Sequence, residues 1–127
     1  MMVVDTSALM AMLMHQSEAK ACKRCLTDEP ETLISAGTAA EALIVALGRG
    51  LLHEMTKTIE DFDVEIVPVT AASAQRIGKI YEKWGKGMHP AGLNFGDCFA
   101  YELAKSRGCK LLFVGNDFSR TDIEPAL

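Results

Sequence analysis

Short runs of aliphatic and β-branched residues alternate with longer stretches of helical periodicity along the whole chain. Such an order folds with its strands mostly parallel and with helices covering both faces of the sheet. Met2-Val3-Val4 is the first run, ending at Asp5, and the apolar Ala8 to Met14 that follows is helix-prone. Ser17 begins a second, polar helix. After the turn around Pro30, Leu33-Ile34-Ser35-Ala36 reads either as a brief strand or as a helix lead-in, and Thr38 to Leu47 is an Ala-rich helix closed by Gly48 and Gly50. Leu52, Met55, Ile59 and Phe62 recur at helical spacing before the strand Val64-Glu65-Ile66-Val67, which Pro68 ends. Thr70 caps a helix with Ala74, Ile77, Tyr81 and Trp84 on one face, and Gly85, Gly87, Pro90 and Gly92 make a loop. Asn94 to Arg107 is the last helix, Leu111-Leu112-Phe113-Val114 is a strand, and the tail reads as a turn followed by a short strand near Ile123.

At 127 residues, 49% hydrophobic and 24% charged, the sequence reads as one globular domain spanning residues 1–127. A chain of this size buries about two-thirds of its unfolded surface and needs no disulfide or metal staple. Charge-free stretches such as Thr6 to Met14 and Thr32 to Ala40 are nine residues each, and the longest, Thr6 to Ser17, is twelve, against the ~18 of a bilayer crossing. The first residues lack the basic segment of a secretory signal and carry Asp5 within the apolar run, so a cytoplasmic protein with no membrane association is expected. Four cysteines then read as reduced thiols. Cys22 and Cys25 form a C-x-x-C, but Cys98 and Cys109 do not supply the second pair of a structural zinc site.

Four carboxylates stand among apolar residues. Asp5 is the only charged side chain of the first seventeen residues and ends the first strand, where ligands bind in open α/β sheets. Glu41 is the only charge between Glu31 and Arg49, on a helix apolar nearly all round, so it is expected inside the protein or at the floor of a cleft. On a helical wheel Asp97 joins the arc of Phe99, Ala100, Tyr101, Leu103 and Ala104, with Glu102, Lys105 and Ser106 opposite. Asp117 follows the last strand closely. Local roles compete for three of these: Asp5 and Asp117 also suit turns after strands, and Asp97, three residues after Asn94, resembles an imperfect capping box.

Ionised acids crowded in a poorly solvated site need raised proton affinity or a bound cation. An all-oxygen ligand set suits Mg²⁺ or Mn²⁺, and a divalent ion there supports phosphodiester hydrolysis. The net charge of −4 argues against a general nucleic-acid coat, but without these four acids thirteen basic residues face thirteen acidic ones. Arg76, Lys79, Lys83 and Lys86 form a stripe that reads as a solvated face or a phosphate track. No phosphate-binding glycine loop, H-E-x-x-H or G-x-S-x-G is present, and His15, His53 and His89 lack ligand spacing.

Val3-Val4-Asp5-Thr6-Ser7-Ala8-Leu9, Thr38-Ala39-Ala40-Glu41, Leu93-Asn94-Phe95-Gly96-Asp97-Cys98, and Gly115-Asn116-Asp117-Phe118 with Thr121-Asp122-Ile123 resemble, in that order, the VapC-type toxins of the PIN-domain ribonucleases. The resemblance covers essentially the whole chain. It implies an α/β PIN-like fold with a central, mostly parallel sheet, and a Mg²⁺- or Mn²⁺-dependent endoribonuclease acting on structured or translating RNA. It further implies a cognate VapB-like antitoxin and a homodimer. Carried over, Asp5, Glu41 and Asp97 match the metal-site acids and Asp117 a fourth, more variable one. Thr6 and Ser7 match hydroxyls lining the site or holding a turn, and Asn116 stands where some relatives carry another acid.

Metal-dependent RNA hydrolysis is therefore the leading expectation. A noncatalytic PIN-fold module binding a protein or RNA is the alternative, and a phosphoaccepting Asp5 a third that lacks a companion acid. Met10, Met12 and Met14, with Leu52, Met55 and Ile59, are candidates for a partner surface or for ordinary core packing.

Overall fold

The computed structural model describes residues 1–127. The element order is β1 (Met2–Val4), α1 (Thr6–Leu13), α2 (Ala19–Asp28), β2 (Thr32–Ser35), α3 (Ala36–Gly48), α4 (Leu52–Asp61), β3 (Glu65–Val67), α5 (Ala71–Trp84), α6 (Phe95–Arg107) and β4 (Lys110–Leu112). All neighbouring strands are parallel, in the order β3-β2-β1-β4, with Val3 paired to Leu33 on one side and Leu111 on the other. The α/β expectation holds, and Leu33 to Ser35 resolves as strand.

Strand alternation divides the core in two. Met2, Val4, Ile34 and Leu112 pack with Leu9, Cys22, Leu26, Ala42, Ala46, Met55 and Ile59 from the first four helices. Val3, Leu33 and Leu111 point the other way, onto Ile77, Cys98, Tyr101, Leu103 and Phe118. Successive side chains on a strand face opposite ways, so a sheet covered on both faces needs consecutive apolar residues, as Met2–Val4, Leu33–Ile34 and Leu111–Leu112 supply, whereas β3 at the edge stays largely exposed. Met10, Met55 and Ile59 are thus core residues, while Met14 and Leu52 lie at the surface.

Several expectations are corrected. β4 ends at Leu112, so Phe113 and Val114 already belong to the connection toward Asp117. The tail contributes only an isolated bridge, Leu111 to Pro125, rather than a strand near Ile123. On α5 the buried positions are Ser73 and Ile77, whereas Ala74 is exposed. Glu102, placed by the helical wheel on the open side of α6, is only 5% exposed, because α5 covers that side and Arg76 Nε donates to Glu102 Oε2 at 3.1 Å. That contact also breaks the basic stripe: Arg76 is paired inward, Lys83 lies over the Trp84 ring, and Lys86 falls in the loop beyond the helix. No helix is long and apolar enough to cross a membrane.

Candidate active site

The chain passes from β1 to β2 to β3 in one direction and then returns to the other flank of β1 for β4. Between β1 and β4 the connections diverge, and a crevice opens at the carboxyl ends of the strands. Asp5 is the first residue past β1, at this point. Its N–H donates to the Leu112 carbonyl at 2.9 Å, and its side chain caps α1. Ser7 donates to Asp5 Oδ2 through its N–H at 3.1 Å and its hydroxyl at 2.6 Å. The same hydroxyl accepts from Val114 N–H at 3.0 Å, tying the exit of β4 to the start of α1. Ser7 therefore orients Asp5 and closes the base of the crevice.

Asp97 sits in the first turn of α6 in a complete reciprocal capping box, not an imperfect one. Its N–H donates to Asn94 Oδ1 at 2.8 Å, and its Oδ2 accepts from Asn94 N–H at 3.0 Å. Glu41 projects from α3 and is half-buried in a cleft wall. Thr6 Oγ1 donates to Glu41 Oε1 at 2.7 Å. The Thr38 carbonyl at 3.4 Å is the weaker acceptor for the single hydroxyl proton. The apolar surroundings read from the sequence do not enclose the whole helix, because Ile44 and Leu47 of α3 are exposed.

Two glycines let α3 and α6 approach closely. A Cβ on Gly96 would collide with the Glu41 carboxylate, and one on Gly37 with the Phe99 ring. Gly96 belongs to the string that carries the resemblance but has no packing role legible there, and Gly37 stands outside it; glycine in the first turn of a helix is unfavourable and marks a close contact.

Asp5 and Asp97 are 4% and 8% exposed. Burial, reinforced by the charges of Glu41 and Asp117, pushes the Asp5 carboxyl up to about 6 against the two Ser7 hydrogen bonds. Burial, with the charges of Asp117, Asp5 and Glu41, pushes Asp97 up to about 7 against the Asn94 hydrogen bond. The four acids thus share one electrostatic neighbourhood. Asp117 stands at its exposed rim, and Asn116 is exposed beside it, its carbonyl accepting from Ser119.

No three acids are drawn tightly enough to cage an ion as they stand. Their chemistry nevertheless fits one. Asp5, Asp97 and Glu41 each commit one oxygen to a local donor, leaving Asp5 Oδ1, Asp97 Oδ1 and Glu41 Oε2 without a protein hydrogen bond. Hard, anionic, oxygen-only donors whose repulsion needs compensation suit a small divalent cation.

Residues 2–124 match the family model for the PIN domain. Ribonuclease VapC of Mycolicibacterium smegmatis is 38% identical over 125 residues, covering 96% of this chain and 97% of that protein. Among solved structures, Mycobacterium tuberculosis VapC20, described as a Sarcin-Ricin loop cleaving toxin, matches with a TM-score of 0.76 at 18% identity, covering 97% of this chain and 96% of that one. A toxin-antitoxin complex from Klebsiella pneumoniae matches with a TM-score of 0.73 at 18% identity, covering 96% and 93%. The family match and the ribonuclease relatives together define a hydrolase of the nuclease class. The chain belongs to the PIN-domain family, among its VapC-type ribonucleases, which are generally metal-dependent.

Proposed function

We propose that this chain is the endoribonuclease toxin of a type II toxin-antitoxin pair, hydrolysing RNA phosphodiester bonds at a Mg²⁺ or Mn²⁺ site held by Asp5, Glu41 and Asp97, with Asp117 completing it at the rim. The observation that carries the reading is the mutual electrostatic reach of these acids at the carboxyl edge of a parallel sheet. The cation supplies Lewis-acid polarisation of a phosphoryl oxygen and makes hydroxide available near neutral pH. Asp5 is held in one rotamer by Ser7, and Thr6 aims Glu41. The Asn94 capping box fixes Asp97. Thr6 and Ser7 thereby act as positioning residues, and Asn116 faces solvent where RNA would arrive.

Residues 1–127 act in this reading as one cytoplasmic nuclease domain that forms a homodimer and is silenced by a VapB-like antitoxin. A crowded carboxylate pocket favours a basic side chain from such a partner. The test is cleavage of RNA by the purified chain with Mg²⁺ or Mn²⁺, and its loss with EDTA. Asp97→Asn should remove cleavage while the circular dichroism spectrum is retained. Unchanged cleavage by Asp97→Asn refutes the site, and absence of Mn²⁺ binding by calorimetry would favour the noncatalytic module instead.

A further inference from the structure

Beside the acids, α3 and α6 open a cleft of about 370 Å³ whose walls include Glu41, Ile44, Val45, Phe95, Gly96 and Phe99. Phe95 is the first residue of α6, between the Asn94 cap and Asp97, and it is 72% exposed. Its ring meets Phe99 edge-to-face, with centroids 5.0 Å apart and planes at 86°. That contact steadies the ring without covering it. Glu41 is the only charged residue lining the cleft, and it belongs equally to the acid cluster, so the apolar wall runs directly into the site.

We propose that Phe95, backed by Phe99, is a stacking platform for an unpaired nucleobase next to the scissile phosphate, and so a specificity-determining residue of the reaction. The inference rests on the ribonuclease reading and deepens it. A polyanion approaching four acids on a chain of net charge −4 is opposed by the protein's field, and the basic stripe on α5 is partly engaged elsewhere. Affinity must then draw on a contribution that does not depend on charge, and stacking of a base on an aromatic ring is one. Phe95 adjoins Gly96, against whose Cα the Glu41 carboxylate packs, and it lines the cleft together with Glu41, so a base flanking a phosphate held at the acids comes within reach of its ring. Only a base free of its pair can offer its face to the ring.

The experiment uses the full chain carrying Asp5→Asn to prevent turnover, with single-stranded RNA oligonucleotides bearing 2-aminopurine at each position in turn. Fluorescence should be quenched at one position. Phe95→Ala should abolish the quench and weaken binding about tenfold, equivalent to about 1.4 kcal/mol, within the range for one stacked base. Phe95→Trp should retain both effects and Phe95→Leu should not. In the active background, Phe95→Ala should raise KM about tenfold with kcat and Mn²⁺ affinity unchanged.

Wild-type RNA binding by Phe95→Leu would mean that the cleft responds only to apolar bulk, as a protein-docking face does, and would overturn the proposal. Undiminished RNA binding by Phe95→Ala, in a chain that still cleaves, would overturn the platform alone. Phe95-dependent quenching in a chain that cleaves nothing with either metal would uphold the platform while removing the nuclease reading.

Discussion

Asp5→Asn keeps the shape of the side chain and removes the charge that burial disfavours. The Asp5 carboxyl is pushed from 3.8 up to about 6, a difference of about two pH units. At 1.36 kcal/mol per unit this corresponds to ~3 kcal/mol. The native state binds the Asp5 proton more tightly than the unfolded chain does. Its stabilising contribution is therefore complete below pH ~4 and is lost as the pH rises through about 6. The asparagine variant has no such titration. Metal-free, it should match the parent near pH 4 and exceed it by up to ~3 kcal/mol at pH 8, a midpoint gain of roughly 1–3 M urea at ordinary slopes. Weaker hydrogen bonds from Ser7 to a neutral amide make that figure a ceiling. Urea unfolding in EDTA at pH 4, 6 and 8 measures the effect, alongside an RNA cleavage assay in which the variant should be inactive. Equal stabilities at pH 8, or a gain of the same size at pH 4, would refute the account of Asp5 as a charge held against its burial cost.

Added Mn²⁺ should raise the melting temperature more at pH 8 than at pH 5.5, because at the lower pH protons on Asp97 and Asp5 compete with the ion; a pH-independent shift would place the ion elsewhere. Gly96→Ala should change stability by no more than about 1 kcal/mol, since the helical preference of alanine offsets the displacement of the flexible Glu41. Cleavage should nevertheless fall at least tenfold as Glu41 leaves Thr6, and parental kcat/KM would exclude that positioning. Ser7→Ala removes a donor to Asp5 and the acceptor for Val114 N–H, so urea titration should show a loss of about 1–3 kcal/mol. The acid limb of its cleavage profile should also move to higher pH, because the ionised form of Asp5 loses a hydrogen bond.

The fold was legible wherever a residue's environment follows from its own element. Short continuous aliphatic and β-branched runs mark the strands, and the Thr70 and Asn94 caps mark the helix starts. What failed depends on a second element. Glu102 looks solvated on a wheel of α6 alone and becomes buried only when α5 brings Arg76 across it. The converse error concerns α3, whose apolar composition suggested enclosure although no element covers Ile44. Gly96 and Gly37 carry no periodic signal, because their requirement arises where α3 meets α6. The acids were conspicuous as isolated charges in apolar company, but Thr6 and Ser7 acquire their roles as donors only through contacts with Glu41 and Val114.

The competing local and functional readings of Asp5 and Asp97 prove to be compatible. Asp5 caps α1 and Asp97 closes the capping box that Asn94 opens on α6, and in each the local hydrogen bond occupies Oδ2 and leaves Oδ1 free, so the same hydrogen bonds that start the helix also fix the carboxylate in the crevice. Both helix N-termini favour the anionic form of the acid they hold, opposing the burial that disfavours it. This dual use decides which substitution is informative. Asparagine keeps an oxygen that can accept the N–H now held by Oδ2, whereas alanine leaves that donor at the helix start without its partner. Asp97→Ala would therefore weaken the start of α6 as well as remove a carboxylate, and its inactivity would not separate the two. Asp97→Asn leaves the capping box available while removing the charge, so loss of cleavage at retained stability would locate the defect in the acid site itself.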